Sequence, residues 1–230
     1  MMTQQNLIFD ADDTLWENNI YYEEVRERFL TLTDVLGVSR PEVEARIDRT
    51  EQKNIELFGY GSENFIRSLR ETYTFFAGDR NHLESTLRHI DSLGSSLYDF
   101  RIELLPRVAE TLASLRERHR FFLLTKGNSR EQTSKVKKSN LEGLFEKVVV
   151  VPEKNVATYN QVASDLVLDK SITWMIGNSP RSDVNPALEA GLGAVFVPHA
   201  VTWHFEKVPV RTDLPRLIVV SQFADLLEHF

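Results

Sequence analysis

The 230-residue chain contains no cysteine, and this absence excludes several kinds of chemistry. Without thiols there is no disulfide, no thiolate metal site and no cysteine nucleophile, and the composition suits a reducing compartment. Long apolar runs are missing too, because no segment approaches the roughly 20 apolar residues that span a bilayer. The opening segment MMTQQN also lacks the apolar core of a signal peptide. We therefore expect a soluble, cytoplasmic protein with no membrane partner.

Positive charge is scarce relative to negative charge. The chain has 27 Lys and Arg residues against 34 Asp and Glu residues, which gives a net charge of -7. Surfaces that hold nucleic acid depend on Lys and Arg to neutralise phosphates, so we expect no nucleic-acid partner. A small anionic substrate remains compatible with this composition, because a few local cations suffice to hold it. The sequence indicates nothing about protein partners or oligomeric state.

Six short apolar runs are typical of strands buried on both faces of a parallel sheet, since they show no alternation and are rich in Val, Ile and Phe. They lie at residues 7–9, 121–124, 148–151, 172–176, 194–197 and 217–220. Segments with helical spacing lie between and after them, at residues 104–119, 129–139, 157–168, 183–190 and 221–229. Alternating strands and helices predict a doubly wound α/β core with a parallel sheet.

Residues 15–100 interrupt this alternation, because they contain no convincing strand. Apolar residues recur there at helical intervals, as they do from Phe65 to Phe76, and glycine-containing breaks separate the stretches. We predict an all-helical insert of four helices in residues 15–100 and a core made of residues 1–14 and 101–230. Because the insert leaves the core after the first strand, it is expected above the strand ends that bind ligands. It is therefore interpreted as a cap or lid.

Polar residues follow the first four predicted strands, at the edge where the ends of parallel strands meet. They are Asp10 and Asp12, Thr125 to Asn128, Lys154, and Asn178 with Asp183. Neighbouring carboxylates repel, by roughly 4 kcal/mol at ~4 Å and an effective dielectric near 20, so such a group usually recruits a cation or a proton. Carboxylates, a hydroxyl, a lysine and glycine-containing turns are together what phosphoryl transfer to an aspartate requires.

A metal ion is the first requirement of that reaction. The phosphoryl group is negatively charged, so a carboxylate attacks it only when a cation offsets the repulsion, and Mg²⁺ is the usual choice. The predicted Mg²⁺ ligands share oxygen donors at the strand ends: Asp10, Asp12, Asn178 and Asp183.

The phosphoryl oxygens also need donors. Four consecutive residues after the second strand, Thr125, Lys126, Gly127 and Asn128, offer a hydroxyl and backbone N–H groups at a helix start, which is a typical anion site. Lys154 adds a point charge beside it. Lys126 is the alternative source of that charge, because it is also expected near the site.

The motifs and their order resemble the haloacid dehalogenase superfamily, in its Mg²⁺-dependent phosphatase branch. LIFDADDT is similar to the first family motif, an apolar strand ending in Asp-x-Asp-x-Thr, and FFLLT to the second. The motif lysine is best matched by Lys154 in VPEKNVATY, and GNSPRSD approaches the fourth motif, Gly-Asp-Ser-x-x-x-Asp. Four motifs in the family's order are much more specific than one, and the match covers residues 6–14 and about 102–200.

The resemblance implies a Rossmann-like core with a helical cap, and Mg²⁺-dependent hydrolysis of a small phosphorylated metabolite. Asp10 would be the nucleophile that forms an aspartyl-phosphate, and Asp12 would protonate the leaving group and then activate water. Thr125 and Lys154 would hold the phosphoryl group. The Asp10 side chain, the Asp12 backbone carbonyl and the fourth motif would bind Mg²⁺.

Two residues depart from the family pattern. Asp13 stands where the family often has glycine, and it is expected to cap the turn, because aspartate readily accepts local backbone hydrogen bonds. Asn178 replaces the acid that usually ligates the metal in the fourth motif. An amide oxygen coordinates Mg²⁺ without the negative charge, so weaker metal binding is expected unless Asp183 compensates.

Other interpretations keep the fold but change the reaction. A dehalogenase would need neither the second acid Asp12 nor a metal. A phosphonate hydrolase would need a Schiff-base lysine, for which the insert offers only Lys53, and a phosphomutase would transfer phosphate without releasing it. A different class is a regulatory or binding protein without turnover, which Asn178 allows. Phospho-accepting receiver domains share the acids, Thr and Lys, but lack such a long insert after the first strand.

Overall fold

The computed structural model describes residues 4–78, 83–99 and 102–230. The chain divides into two compact units, one made of Met1–Asn19 and Ile102–Phe230 and the other of Ile20–Arg101. Leu15 and Trp16 are fully buried in the apolar core of the first unit. Residues 15–19, which the sequence interpretation places in the insert, therefore belong to the α/β unit.

Six parallel strands form one sheet in the first unit. They are β1 (Asn6–Phe9), β2 (Arg120–Lys126), β3 (Lys147–Val151), β4 (Thr173–Gly177), β5 (Gly193–Phe196) and β6 (Leu217–Val219). The strand order is β3-β2-β1-β4-β5-β6, so Phe9 of β1 pairs with Leu123 on one side and Ile176 on the other. The predicted doubly wound sheet is confirmed. Its order reverses at β1, and sheets of this kind bind ligands beside such a reversal, at the carboxyl ends of the strands.

The α-helices divide between the two units, with the first four in the helical unit and the last four around the sheet. In chain order the described α-helices are α1 (Asn19–Thr33), α2 (Arg40–Phe58), α3 (Ser62–Ala77), α4 (Leu83–Asp99), α5 (Val108–Arg116), α6 (Ser129–Lys138), α7 (Val156–Asp165) and α8 (Asn185–Glu189). The described part of the chain contains no helix that is long and apolar enough to cross a membrane.

Alternate residues of β1 enter two separate apolar layers, which explains why the strand is apolar without alternation. Phe9 packs in a layer with Leu112 of α5 and Val136 of α6. Ile8 packs in the opposite layer, with Tyr159 of α7. Each fully buried side chain of this size stabilises the fold by roughly 1.5–3 kcal/mol, so the two layers hold β1 in the centre of the unit.

Three predicted helices differ from those observed. The segment predicted at 104–119 begins only at Val108, because Leu105 precedes Pro106 and is disfavoured in the helical conformation. The segment at 183–190 starts as a π-helical turn, Pro180–Val184, before α8. The segment at 221–229 is a short 3₁₀ helix, Phe223–Glu228, which Gln222 caps.

The helical unit has its own apolar core. Val25 and Phe29 of α1 pack with Ile47 of α2, Leu69 of α3 and Ile90 of α4, and all five are almost fully buried. Glycines separate the helices at the predicted breaks: Gly37 at φ 71° and Gly59 at φ 80° adopt positive φ, which other residues rarely do. The described residues of this unit thus contain the four predicted helices.

Candidate active site

Three charged side chains meet at the carboxyl ends of β1, β3 and β4. Lys154, which follows β3, places its Nζ 2.5 Å from Asp10 Oδ1 and 2.8 Å from Asp183 Oδ1. All three residues are buried, with exposures of 4% for Lys154, 7% for Asp10 and 1% for Asp183. Thr125 is buried at the end of β2, the strand beside β1. The structure therefore brings predicted residues from distant parts of the chain to one edge of the sheet.

Burial and neighbouring charges act on this group in opposite senses. Burial and the charge of Asp183 raise the pKa of Asp10 to about 7, against the lowering effect of Lys154. Burial by itself would lower the pKa of Lys154, but the charges of Asp10 and Asp183 raise it above its ordinary value. Lys154 therefore stays protonated. Two carboxylates facing one lysine leave a surplus of negative charge when both are ionised, which a further cation would offset.

Thr14 joins Asp10 to Asn178. The Thr14 Oγ1 atom lies 2.9 Å from Asp10 Oδ2 and 3.2 Å from Asn178 Oδ1, and it accepts a hydrogen bond from the Asn178 backbone N–H at 3.1 Å. The hydroxyl has one proton, so it donates to one of the two oxygens at a time. The side-chain nitrogen of Asn178 lies 3.4 Å from Thr202 Oγ1. These contacts direct the amide oxygen of Asn178 toward the Asp10 carboxylate.

Asp183 is held against the end of β4. Its Oδ2 accepts a hydrogen bond from the Ser179 backbone N–H at 3.0 Å, while Oδ1 accepts from Lys154. The space beside Gly177 is filled by this carboxylate: a Cβ at position 177 would lie 2.2 Å from Asp183 Oδ2. Glycine at the end of β4 is therefore required for Asp183 to approach the strand so closely.

The donor set fits a divalent cation such as Mg²⁺. Asp10 and Asp183 present carboxylate oxygens to one lysine, and the amide oxygen of Asn178 reaches the same region through Thr14. Hard oxygen ligands of this kind are those that Mg²⁺ prefers. The side chain of Asp12 contacts a different set of residues, Trp16, Gln132 and Lys135. The resemblance implies that the backbone carbonyl of Asp12 would bind the metal.

Asp12 is held by three side chains that the sequence analysis did not single out as its partners. The Asp12 Oδ1 atom accepts hydrogen bonds from Trp16 Nε1 at 2.8 Å and from Lys135 Nζ at 3.2 Å. The Oδ2 atom accepts from Gln132 Nε2 at 2.9 Å and from Lys135 Nζ at 3.0 Å. The sequence contained a weak signal of this arrangement. Gln132 lies three positions before Lys135 and four before the apolar Val136, so the three share one face of α6, and the structure buries all of them.

Residues of the predicted anion site have contacts of their own. The Lys126 Nζ atom donates to Ser182 Oγ at 2.8 Å and to Glu206 Oε1 at 2.5 Å. The Gly127 N–H donates to the Val151 carbonyl at 3.0 Å, so it is engaged by β3. The Asn128 side-chain oxygen caps α6 by accepting from two backbone N–H groups. These contacts do not support phosphate binding by the Gly127 N–H.

Glu206 is a further buried acid that the sequence analysis did not identify. It is 7% exposed, and its Oε2 accepts hydrogen bonds from Ser179 Oγ and, at 2.5 Å, from Ser182 Oγ. Burial would raise the pKa of Glu206, but the charge of Lys126 and these hydrogen bonds hold it below its ordinary value. Glu206 thus ties the turn that carries Asp183 to the end of β2.

Comparison with known proteins identifies the family. The family model for haloacid dehalogenase-like hydrolases matches residues 5–191, a stretch that contains the whole Asp10, Lys154 and Asp183 group. The chain is a haloacid dehalogenase-like hydrolase. A search among curated proteins returned no significant match.

Solved structures that share this fold belong to proteins described with different activities. A haloacid dehalogenase-like family hydrolase from Xanthomonas campestris is 28% identical, with a TM-score of 0.85 over 99% of this chain and 90% of its own. A protein described as a predicted phosphoglycolate phosphatase from Haemophilus somnus is 16% identical (TM-score 0.64; 100% and 99% covered). The L-2-haloacid dehalogenase from Xanthobacter autotrophicus is 15% identical (TM-score 0.64; 98% of each chain). At such identities the last two show the fold alone.

The first departure from the family pattern, Asp13, has the expected local role. Its Oδ1 accepts hydrogen bonds from the backbone N–H groups of Asn18 and Asn19, both at 2.9 Å, so the predicted cap is confirmed. Asp13 also adopts φ 60°, where glycine is favoured. Burial is the main reason that the pKa of Asp13 rises to about 7.

Asp13, Glu17 and His199 form a second group in this hydrolase, with one potential ligand atom from each lying within 4.8 Å of the others. The His199 Nε2 atom lies 3.1 Å from Glu17 Oε2, and its Nδ1 accepts a hydrogen bond from the Val201 N–H at 3.3 Å. Glu17 Oε2 is buried and has no hydrogen-bond partner among the described residues, although it lies within ion-pair distance of His199. None of its three residues is among the predicted metal ligands.

Proposed function

We propose that this hydrolase is a Mg²⁺-dependent phosphomonoester hydrolase that acts on a small phosphorylated metabolite through an aspartyl-phosphate. One observation carries the proposal: Asp10 is a buried carboxylate bonded to Lys154, and a second acid, Asp12, follows two residues later. A buried carboxylate at a strand end is a positioned nucleophile, and a lysine beside it suits an incoming anion. The oxygen donors of Asp183 and Asn178 support the metal.

The chain's own side chains account for each step. An Asp10 oxygen attacks phosphorus, so an O–P bond forms while the bond to the leaving oxygen breaks, and Asp12 gives that oxygen a proton. Asp12 then takes a proton from the water that attacks the aspartyl-phosphate, which frees Asp10 and inorganic phosphate. Thr125 and Lys154 hold the phosphoryl oxygens throughout. When bound, Mg²⁺ supplies positive charge that keeps Asp10 ionised and offsets the charge of the phosphoryl group.

Asp12 favours this reaction over dehalogenation. Displacement of a halide needs no proton for the leaving group, whereas the alkoxide released from a phosphate ester does. A phosphonate hydrolase is disfavoured because Lys53, the lysine of the insert, is exposed on α2 and is not buried in a pocket. The helical unit is proposed to select the substrate, as the cap of this phosphatase.

The test is hydrolysis of p-nitrophenyl phosphate with Mg²⁺, with Mn²⁺ and with chelator, alongside 2-chloropropionate as the dehalogenase substrate. We expect phosphate release that requires the metal, and no chloride release. The Asp10→Asn variant should lose at least about 1,000-fold in kcat, whereas Asp165→Asn, an exposed acid at the end of α7, should keep wild-type activity. Wild-type turnover by Asp10→Asn would contradict the nucleophile assignment.

A screen of phosphorylated metabolites then identifies the substrate class. Bound Mg²⁺ without turnover of any ester would favour the regulatory interpretation that Asn178 allows. Transfer of phosphate between positions of a sugar, without release, would instead indicate a phosphomutase.

A further inference from the structure

We propose that Lys135 and Gln132, both on α6, are positioning residues that hold the Asp12 carboxylate for proton transfer. This inference rests on the proposed function, in which Asp12 exchanges protons with the leaving group and with water. It goes beyond that function because neither residue belongs to the motifs that carry the family resemblance. They lie instead on the helix that follows the second motif.

The contacts leave little freedom to the Asp12 side chain. Each carboxylate oxygen accepts two hydrogen bonds. Lys135 Nζ donates to both oxygens, at 3.2 Å to Oδ1 and 3.0 Å to Oδ2. Trp16 Nε1 donates to Oδ1 as well, and Gln132 Nε2 donates to Oδ2. Four hydrogen bonds from three directions fix the position and rotation of a carboxylate, which one ion pair alone would not do. Proton transfer depends steeply on such placement.

The partners are themselves held in place. Trp16 is fully buried in the core of the α/β unit, so its indole N–H has one position. The Lys135 Nζ atom also donates to Asn18 Oδ1 at 2.7 Å and lies 3.6 Å from Glu131 Oε1. A catalytic group supported by side chains that are fixed in this way keeps its geometry during turnover.

The burial of Lys135 and Gln132 is not explained by helix stability. A lysine near the C-terminal end of a helix stabilises the helix by interacting with its dipole, and it can do so while exposed to solvent, as Lys137 and Lys138 of α6 are. Lys135 is instead 5% exposed and Gln132 4% exposed. Gln132 Oε1 is also buried without a hydrogen-bond partner among the described residues, which is an unfavourable arrangement for a polar atom. Gln132 keeps this orientation because its Nε2 donates to Asp12.

The experiment compares kcat/KM for phenyl phosphate and p-nitrophenyl phosphate at saturating Mg²⁺. The two esters differ only in the para-nitro group, and phenol is the poorer leaving group, so phenyl phosphate needs the proton from Asp12 more. We expect Lys135→Met to lower kcat/KM for phenyl phosphate by about 100-fold and for p-nitrophenyl phosphate by about tenfold or less. Lys135→Arg should recover part of this loss, and Lys137→Met, on the exposed face of α6, should match the wild type.

A double-mutant cycle separates positioning from a general structural effect. In the Asp12→Asn background, Lys135→Met should change kcat/KM for either ester by less than about threefold, because the group it positions is gone. Gln132→Met, which removes a hydrogen bond without leaving a charge unpaired, should show the same selectivity for phenyl phosphate at smaller size. It keeps the test decisive if Lys135→Met folds poorly.

Four results would overturn the inference. Equal losses for the two esters, or equal losses with and without Asp12, would show that Lys135 acts independently of proton transfer. Wild-type kcat/KM in both Lys135→Met and Gln132→Met would show that the contacts have no role in the reaction. A wild-type enzyme that hydrolyses neither ester would instead contradict the proposed function, and this inference with it.

Discussion

Lys154 Nζ lies 2.8 Å from Asp183 Oδ1, and both side chains are 1% exposed. This ion pair joins the loop after β3 to the π-helical turn after β4, across β2 and β1. Because the same nitrogen also contacts Asp10, one lysine holds both acids of the candidate metal site. The charge balance of the site therefore depends on a single residue.

Replacing Lys154 by methionine should destabilise the protein and abolish activity. The side chains have similar length, but the change leaves Asp10 and Asp183 buried without a positive partner, which typically lowers the free energy of unfolding by about 3–5 kcal/mol. Chemical denaturation measures this loss, and added Mg²⁺ should recover part of it. Lys147→Met, at the exposed start of β3, is the matched control. Unchanged stability in Lys154→Met would contradict the charge balance described here.

Asn178→Asp tests whether position 178 reaches the metal. The new carboxylate would face Asp10 through Thr14, so the metal-free protein should lose about 1–3 kcal/mol while its affinity for Mg²⁺ rises by about tenfold or more. Thermal unfolding measured over a Mg²⁺ titration gives both quantities. Asn140→Asp, at an exposed turn, should leave both unchanged. Weaker Mg²⁺ binding in Asn178→Asp would place residue 178 outside the metal site.

Glu206→Gln should destabilise the turn that carries Asp183. The change removes the charge that pairs with Lys126, at a site where both partners are largely buried, and we expect a loss of about 3 kcal/mol at pH 7. The pKa of Glu206 is lower in the folded state than its ordinary value of 4.5, so its stabilising effect is present above that pH and is lost as the pH falls.

The denaturation curves of wild type and Glu206→Gln should therefore converge as the pH falls below the ordinary Glu pKa of 4.5. Glu228→Gln, an exposed acid near the chain end, should follow the wild type at every pH. A difference that does not depend on pH would show that packing, and not charge, accounts for the loss.

Glu51 of α2 should have the opposite pH dependence. It is 9% exposed, and its Oε2 has no hydrogen-bond partner among the residues that the structure describes. Burial raises its pKa from 4.5 to about 7, so between these values the folded state binds more protons than the unfolded state. Stability should then fall as the pH rises through this window.

The Glu51→Gln variant has no charge at this position, so it avoids the free-energy cost of burying the ionised carboxylate. The change from 4.5 to about 7 corresponds to roughly 3 kcal/mol, so the variant should be more stable than the wild type by up to this amount above pH 7, and by little at pH 4. Hydrogen exchange of the α2 and α3 amides reports on this unit, and Glu56→Gln, exposed on α2, is the control. A wild type that is the more stable protein at pH 8 would refute the argument.

The sheet and the lysine–carboxylate group could be predicted because they depend on local patterns. Apolar runs such as 121–124 and 148–151 specify buried strands by composition alone, and a parallel sheet gathers whatever follows them at one edge. Asp10, Lys154 and Asp183 each come soon after such a run. Their proximity thus follows from topology, without knowledge of any side-chain contact.

The positions of Gln132, Lys135 and Glu206 could not be predicted in the same way. Polar residues on a short helix usually face water, and only the docking of α6 beside β1 shows that Asp12 lies opposite this face. Glu206 belongs to a segment without helical or strand periodicity. The π-helical turn likewise depends on Ser179, whose Oγ accepts a hydrogen bond from the Ser182 backbone N–H, and sequence periodicity does not detect this contact.

Because Asp183 lies so close to Gly177, the site is expected to tolerate no other residue at position 177 without rearrangement. A methyl group at that position would occupy the volume of the carboxylate, so even the smallest side chain forces Asp183 away from Lys154 or bends the end of β4. The lack of a side chain at position 177 is thus as necessary for the contact between Asp183 and Lys154 as the two charges themselves.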